Sequence, residues 1–479
     1  MNQRPNIVLM MADDMGYGDF GAFNNGFVRT PNLDQLINEG TCLSQHYAGS
    51  PICSPSRASF LTGRYPQRTG AVTFAELRGL DRFSLREVTI ADNFQAAGYS
   101  TGMVGKWHNG AIDPKYHPNA RGFSEFVGFR GGWADYYKWN LDVNGSIRPG
   151  DGRYLTDVLT EEAIFFMKRH ANDPFFLTVT FNAPHAPMQA PEYLIDAYMA
   201  MGLSRGIAIT YAMIESMDTG VGRIVQALDD LSLSDNTIIM FTSDNGPDFN
   251  LRPDVVPEGM DASDFIRFNC GFRGAKTSVY EGGIRLPMIM RWPDGLPEGA
   301  RELNDFVHFV DWLPTLLGAA NISKLDGPPI DGINILPALR GEAPWVEPHR
   351  FWQWSEMPPS VTTNASMRDG DWKLVRPRLA FRFATSLDEE YANRYVAADH
   401  DAKYNPGRYT SLMQDPDPEI IRDDPPEPEL YNIASDYGEN TNLASEYPER
   451  TRVMVRELET WFEEVNAERI KAQQETLAR

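Results

Sequence analysis

The chain has 479 residues, a net charge of −22 and a hydrophobic share of 42%. That length suits one large domain plus a smaller one and can bury a sizeable core. The acidic balance excludes a general nucleic-acid binder, which would show basic stripes, but leaves room for an anionic small substrate, because salt screens charge over roughly 8–10 Å.

In chain order, "NIVLMMA" reads as a strand that ends at Asp13-Asp14. "GYGDFG" follows and matches GxGxxG, yet "AFNNGFVRTP" comes next, where a dinucleotide site needs a helix to cradle the pyrophosphate. Two aspartates would also face the phosphates, so these glycines are expected to turn the backbone tightly around the acids. "PNLDQLINEG" reads as a helix closed by Gly40. Ser54-Pro55 reads as a helix start, which would place Cys53 at its positive end. "YSTGMV" is a strand ending just before Gly105-Lys106-Trp107-His108, and "FFLTVTF" is one running into Asn182 and Pro184-His185-Ala186-Pro187. Between them "GGWADYYKWN" groups Trp133, Tyr136, Tyr137 and Trp139, expected as a core or oligomer patch ahead of a stacking platform. "YAMIESMDTGVGRIVQALDDL" sets Ile214, Met217, Val221, Ile224, Val225 and Leu228 on one helical stripe. "NTIIMFTS" is a strand ending at Asp244-Asn245-Gly246.

Continuous apolar runs alternating with helices predict an α/β fold, a large doubly wound, mostly parallel or mixed sheet flanked by helices. The boundary is placed in "LRGEAPWVEPHR", giving a catalytic domain over 1–345 and a smaller α+β domain over 346–479. That second domain should hold an antiparallel sheet, with "MRDGDWKLV" as a hairpin turning at Asp369-Gly370, and a C-terminal amphipathic helix. Residues 387–429 show no clear period; a surface excursion, a pocket wall and an oligomer contact all fit.

Ligands of such sheets bind beyond the carboxyl ends of the strands, where the polar clusters lie. Asp13, Asp14, Asp244 and Asn245 are oxygen donors whose convergence calls for a hard cation, Ca²⁺ or Mg²⁺ rather than Zn²⁺. Lys106 and His108, two apart, should project to one side of an extended segment. With His185, Lys276 and Arg57 they supply fixed polar groups suited to gripping a tetrahedral oxyanion. Cys42, Cys53 and Cys270 form neither a disulfide framework nor a CxxC pair. Ser59 stands where a Cys-x5-Arg phosphatase loop needs arginine. A cysteine–histidine hydrolase would leave the acids and lysines idle, and a buried inert thiol stays open for a lone cysteine.

"CSPSRASFLTGR" resembles the signature of the formylglycine-dependent type I sulfatases, in the alkaline phosphatase superfamily. "PNIVLMMADDMGYGD", "TPNLDQLINEG", "GYSTGMVGKWH", "PHAP", "FTSDNG", "YEGGIRLPM" and "VDWLPTLLG" extend the likeness over 5–339, and "MRDGDWKLV" and "LYNIASDYGENTNLA" resemble the family's small C-terminal domain. The resemblance implies a sulfuric-ester hydrolase, arylsulfatase-like or acting on carbohydrate sulfates. It implies that a formylglycine-generating enzyme converts Cys53 to 3-oxoalanine. Asp13, Asp14, Asp244, Asn245 and modified Cys53 would hold one Ca²⁺, and Arg57 would hold the hydrated aldehyde. Lys106, His185 and Lys276 would bind the sulfate, with His185 or Lys276 protonating the leaving oxygen. The aldehyde hydrate would attack sulfur, a sulfo-enzyme would form, and His108 as base would release sulfate. Asn109 departs from the leucine common in relatives and is expected to alter the pocket wall. The alternatives are a phosphodiester or phosphonate monoester hydrolase of the same superfold, and a catalytically silent carbohydrate-binding relative, whose signature would be loss of Cys53, Arg57 or the acids. No nucleic-acid or membrane partner is expected. "PNIVLMMADD" shows no basic leader, so a cytoplasmic location is expected, or a periplasmic or secreted one if an export signal was removed. The sequons at Asn144, Asn321 and Asn364 carry little weight without one.

Overall fold

A computed structural model describes residues 4–356 and 358–477. The apolar runs become a ten-stranded sheet. Its strands are β1 (Asn6–Ala12), β2 (Thr41–Tyr47), β3 (Ser100–Lys106), β4 (Glu125–Phe129), β5 (Asn140–Val143), β6 (Ser146–Pro149), β7 (Phe175–Thr180), β8 (Thr237–Ser243), β9 (Arg285–Arg291) and β10 (Arg301–His308). Across the sheet they run β10-β2-β9-β8-β1-β7-β3-β4-β5-β6. The stretch β8-β1-β7-β3-β4 is parallel throughout. β9 is antiparallel to both its neighbours, and β5 and β6 add antiparallel pairs at one edge, so the sheet is mixed.

Every residue of β1, β7 and β8 is buried, which is why these strands lack polar alternation. Along β1, Val8, Met10 and Ala12 join the core under the helices Pro31–Glu39, Leu155–Arg169 and Arg205–Asp230. Ile7, Leu9 and Met11 face the opposite core, with the helices Cys53–Thr62, Ile90–Ala96 and Trp312–Ala319.

"GYGDFG" forms two short 3-10 turns, Tyr17–Asp19 and Gly21–Phe23, and no helix that could cradle a pyrophosphate. Its glycines serve packing rather than a special turn. None of the three has positive φ, and a Cβ on Gly18 would lie 2.2 Å from the Phe268 carbonyl oxygen.

The second sheet is antiparallel, with β11 (Arg350–Gln353), β12 (Ala365–Asp369) and β13 (Trp372–Arg376) in sequence. After a separate pair, β14 (Phe381–Phe383) and β15 (Ile420–Arg422), β16 (Glu429–Asn432) completes it beside β13. The hairpin turn is one residue later than expected: Asp369 pairs with Trp372, leaving Gly370-Asp371 as the loop. The C-terminal helix, Pro448–Leu477, lays Met454, Leu458, Trp461 and Val465 on Met367, Leu374 and Leu430.

Between β14 and β15 lies an unforeseen helix, Ser386–Tyr404. Tyr395 is its one buried residue, so no apolar stripe marked it. Tyr395 packs on Ala75 and Leu77. No helix among the described residues is long and apolar enough to cross a membrane.

The two sheets meet through buried charge. Lys373 on β13 is fully buried, 2.8 Å from Glu281 and 2.9 Å from Glu439. Glu439 also accepts the Glu281 backbone N–H at 2.7 Å. Asn364 is buried too, donating to the carbonyls of Thr277 and Trp354, so it cannot serve as a glycan acceptor in this fold. Removing the shared cation by Lys373→Met should leave buried Glu439 without its counter-charge and Glu281 with Arg285 as its remaining ion-pair partner. Chemical denaturation is expected to show a loss of about 3–5 kcal/mol.

Candidate active site

Parallel β8, β1, β7 and β3 end on one edge of the sheet, and each delivers polar residues there. Asp13 and Asp14 follow β1, Asp244 and Asn245 follow β8, His185 lies beyond β7, and Lys106 closes β3. The register sets Ala12 against Ser243, and the Asp244 backbone N–H donates to the Ala12 carbonyl at 3.2 Å.

The acids are buried and matched by cations. Lys106 Nζ is 2.7 Å from Asp13 Oδ2, and Lys276 Nζ is 2.6 Å from Asp14 Oδ2. The Arg57 guanidinium takes Asp244 Oδ2 through Nε and a terminal nitrogen, each at 2.8 Å. Asn245 Nδ2 donates to Asp14 Oδ1 at 2.7 Å. Burial lifts Asp13 to about 8 although Lys106 opposes it, and Asp244 adds to the rise. Burial pushes Asp14 the same way, but Lys276, His185 and Lys106 together hold it below the usual carboxylate range. The environment therefore pushes two adjacent carboxylates apart, a pattern typical of functional sites.

Cys53 is the first residue of the helix Cys53–Thr62, with Arg57 one turn on, and both are buried. Burial raises the Cys53 thiol, with Lys106 and Lys276 opposing and Asp13 and Asp244 adding. The positive helix end is therefore opposed at Cys53 by burial and by the neighbouring acids. Cys53, His108, His185 and Lys276 share a cavity of about 220 Å³ with Phe74, Trp133 and Asp248. His185 Nδ1 faces the Ala186 carbonyl oxygen at 2.6 Å, leaving Nε2 towards Asp14 Oδ2 at 3.7 Å.

Lys106 and His108 do not share a side of an extended segment. β3 stops at Lys106, and His108 takes a left-handed φ of 53°. Lys106 therefore reaches the acids, while His108 reaches the Phe74 carbonyl and Glu76. Asn109 does not line the cavity. It is buried behind it and donates to the carbonyls of Ser54 and Asp81, each at 3.1 Å. The aromatic cluster divides. Tyr136 and Trp139 belong to the core, whereas Trp133 lines the cavity and packs on His400 and Tyr404 of the unforeseen helix. Residues 387–429 thus supply a pocket wall, through Asp399 and Lys403.

Sequence reasoning missed Glu76, Asp248, Asp399 and Lys403, all in the cavity lining. Asp248 follows Asp244-Asn245 closely enough to have been suspected. The others sit in segments with no strand-end pattern.

Residues 5–322 match the model of the Sulfatase family. This chain belongs to the sulfatase family. As a member of a family of sulfuric-ester hydrolases, it also matches the N-sulphoglucosamine sulphohydrolase C-terminal model over residues 273–391. Steryl-sulfatase of Mus musculus is 32% identical over 434 residues, covering 72% of this chain and 66% of its own length. N-acetylgalactosamine-6-sulfatase of Canis lupus familiaris is 33% identical over 368 residues, covering 71% and 66%. The chain thus matches about two thirds of the length of these relatives. The crystal structure of Ps i-CgsB in complex with k-i-k-neocarrahexaose aligns with TM-score 0.76 and 28% identity, covering 96% of this chain and 93% of that one.

Tyr136 Oη bonds both the Asn182 and His185 carbonyls, at 2.8 and 2.9 Å, and so fixes the His185 loop. Tyr136→Phe should cost about 1–3 kcal/mol in unfolding free energy, because it leaves buried carbonyls without this donor.

Proposed function

We propose that this chain hydrolyses an aryl or carbohydrate sulfate ester to an alcohol and inorganic sulfate. The observation that carries this reading is the placement of Cys53 at the start of a buried helix, opening into one cavity with His108, His185 and Lys276.

The residues fit a hard cation. Asp13 Oδ1 and Asn245 Oδ1 are buried with no hydrogen-bond partner among the described residues. Oxygens of Asp13 and Asp14 and a ring nitrogen of His185 lie within 4.8 Å of one another. Three carboxylates and an amide oxygen are a calcium donor set. Asp13, Asp14, Asp244, Asn245 and residue 53 would hold one Ca²⁺, which would supply Lewis-acid polarisation and charge for the oxyanion. Conversion of Cys53 by a formylglycine-generating enzyme would supply a hydratable aldehyde.

The chain's own groups have separable tasks. Arg57 stands one turn from residue 53 and braces Asp244. Lys276 Nζ and His185 Nε2 converge from different loops on Asp14 Oδ2 and face the cavity, where both can contact the sulfate and Lys276, which keeps its proton, can protonate the leaving oxygen. His108 also lines the cavity, and burial first, then Lys106 and Lys403, push its pKa well down, which favours the neutral ring a base requires.

The relatives' names span steroid, aryl and sugar sulfates. Trp133 offers a face on which a sugar ring could stack, and Ps i-CgsB holds an oligosaccharide. The phosphonate monoester hydrolase of Agrobacterium radiobacter, at 20% identity and TM-score 0.61, shares the fold alone.

Parallel assays on aryl sulfates, phosphodiesters and phosphonates test the reading, using protein whose residue-53 peptide mass shows conversion. Sulfate esters should give the highest kcat/KM. Cys53→Ser should take up sulfate covalently and fail to turn over. Higher kcat/KM on phosphonates, or normal turnover by the serine variant, would contradict it.

A further inference from the structure

The loop that carries Phe74 and Glu76 is clamped from outside by the segment between β14 and β15. Tyr395 packs on Ala75 and Leu77, the Met413 N–H donates to the Leu77 carbonyl at 2.8 Å, and Arg78 pairs with Asp417 at 2.8 Å. The same segment reaches inward. Lys403 binds Glu76 Oε1 and sits 3.2 Å from Asp399. Glu76 is 4% exposed and also accepts the Gly132 backbone N–H.

His108 rests on this arrangement. Its Nε2 is 3.3 Å from the Phe74 carbonyl oxygen and 3.6 Å from Glu76 Oε1. The Phe74 carbonyl accepts, so Nε2 carries the proton in a neutral ring, with the Glu76 carboxylate facing the same nitrogen just beyond hydrogen-bond distance. Nδ1 is buried and has no hydrogen-bond partner among the described residues. Gly132 backs the ring closely: a Cβ there would lie 2.8 Å from His108 Cε1 and 3.0 Å from Glu76 Oε1. The ring is thus held by the Phe74 carbonyl and backed by Gly132, with the Glu76 carboxylate beside its Nε2 and that carboxylate held by Lys403.

We infer that Glu76 is a positioning residue for His108, holding it as the Nε2–H tautomer with Nδ1 as the lone-pair atom, and that Lys403 brings the β14–β15 segment into the active site through Glu76. This rests on the proposed sulfatase reading for its catalytic consequence, but not for its structural content. A carboxylate beside an imidazole N–H orients the ring and raises the basicity of the opposite nitrogen. In this chain the carboxylate comes from one loop and its counter-charge from a helix residue 327 positions on, so the second segment sets the base by way of the first.

The test uses ¹⁵N-histidine spectra of the full chain with Cys53 unconverted, so the readout does not depend on sulfatase activity. His108 is assigned by its loss in His108→Ala. The wild-type resonance should show the Nε2–H tautomer, and Glu76→Gln should shift it towards mixed tautomers. In converted protein, Glu76→Gln should lower kcat about tenfold or more with KM little changed. Lys403→Met should move both readouts in the same direction by less. Gly132→Ala keeps every charge but crowds the ring, and should lower kcat likewise. If Glu76→Gln does not fold, the lysine and glycine variants carry the test. An Nδ1–H tautomer in the wild type, or an unchanged His108 spectrum in foldable Glu76→Gln or Lys403→Met, overturns the inference. Absence of sulfatase activity in the wild type with the expected spectra would overturn the functional reading and leave this one standing.

Discussion

Three carboxylates buried at the ends of two neighbouring strands are the constraint on which the rest of the site depends. Asp13, Asp14 and Asp244 are almost wholly inaccessible, and uncompensated charge in such surroundings costs several kcal/mol per ion. The structure meets that cost with Lys106 from β3, Lys276 from the loop before β9 and Arg57 from the first turn after Cys53. Each cation comes from a different part of the chain. Matching charge therefore also fixes residue 53, Lys106, Lys276 and the sheet edge relative to one another. A divalent cation would add charge to a donor set in which Asp13 Oδ1 and Asn245 Oδ1 have no hydrogen-bond partner among the described residues.

The small domain is tied in by the same kind of interaction. Lys373 is buried between Glu281 and Glu439, and Asn364 bonds across to Thr277, next to Lys276. The domain thus supports the loop that carries Lys276, one of the cations lining the cavity. The segment between β14 and β15 reaches the other side of the cavity, where Lys403 meets Glu76 and Trp133 meets His400. The cavity's floor belongs to the large sheet, and part of its wall belongs to the C-terminal region.

Much of this was legible in the sequence because strand ends bring chemistry to a shared edge. The runs before Asp13, Lys106, Asn182 and Asp244 are strands, and the ten expected site residues gather round their ends. The failures have physical causes. His108 leaves the extended path because its backbone turns left-handed, which a two-residue spacing cannot reveal. The helix Ser386–Tyr404 buries only Tyr395, so it carries no periodic signal. Glu76 and Lys403 become partners through tertiary packing between distant loops, and neither has a local pattern. Asn109 turned out to brace the Cys53 helix from behind rather than to shape the cavity.

The central claim is that the acids at the ends of β1 and β8 form a calcium site that residue 53 adjoins. Thermal unfolding of chelator-treated protein with and without added Ca²⁺ tests it most directly. At a free concentration near 100 times Kd, calcium should stabilise the wild type by about 2.7 kcal/mol, and Asp13→Asn should abolish most of that gain. An unfolding temperature indifferent to calcium, or an equal gain in Asp13→Asn, would contradict the account.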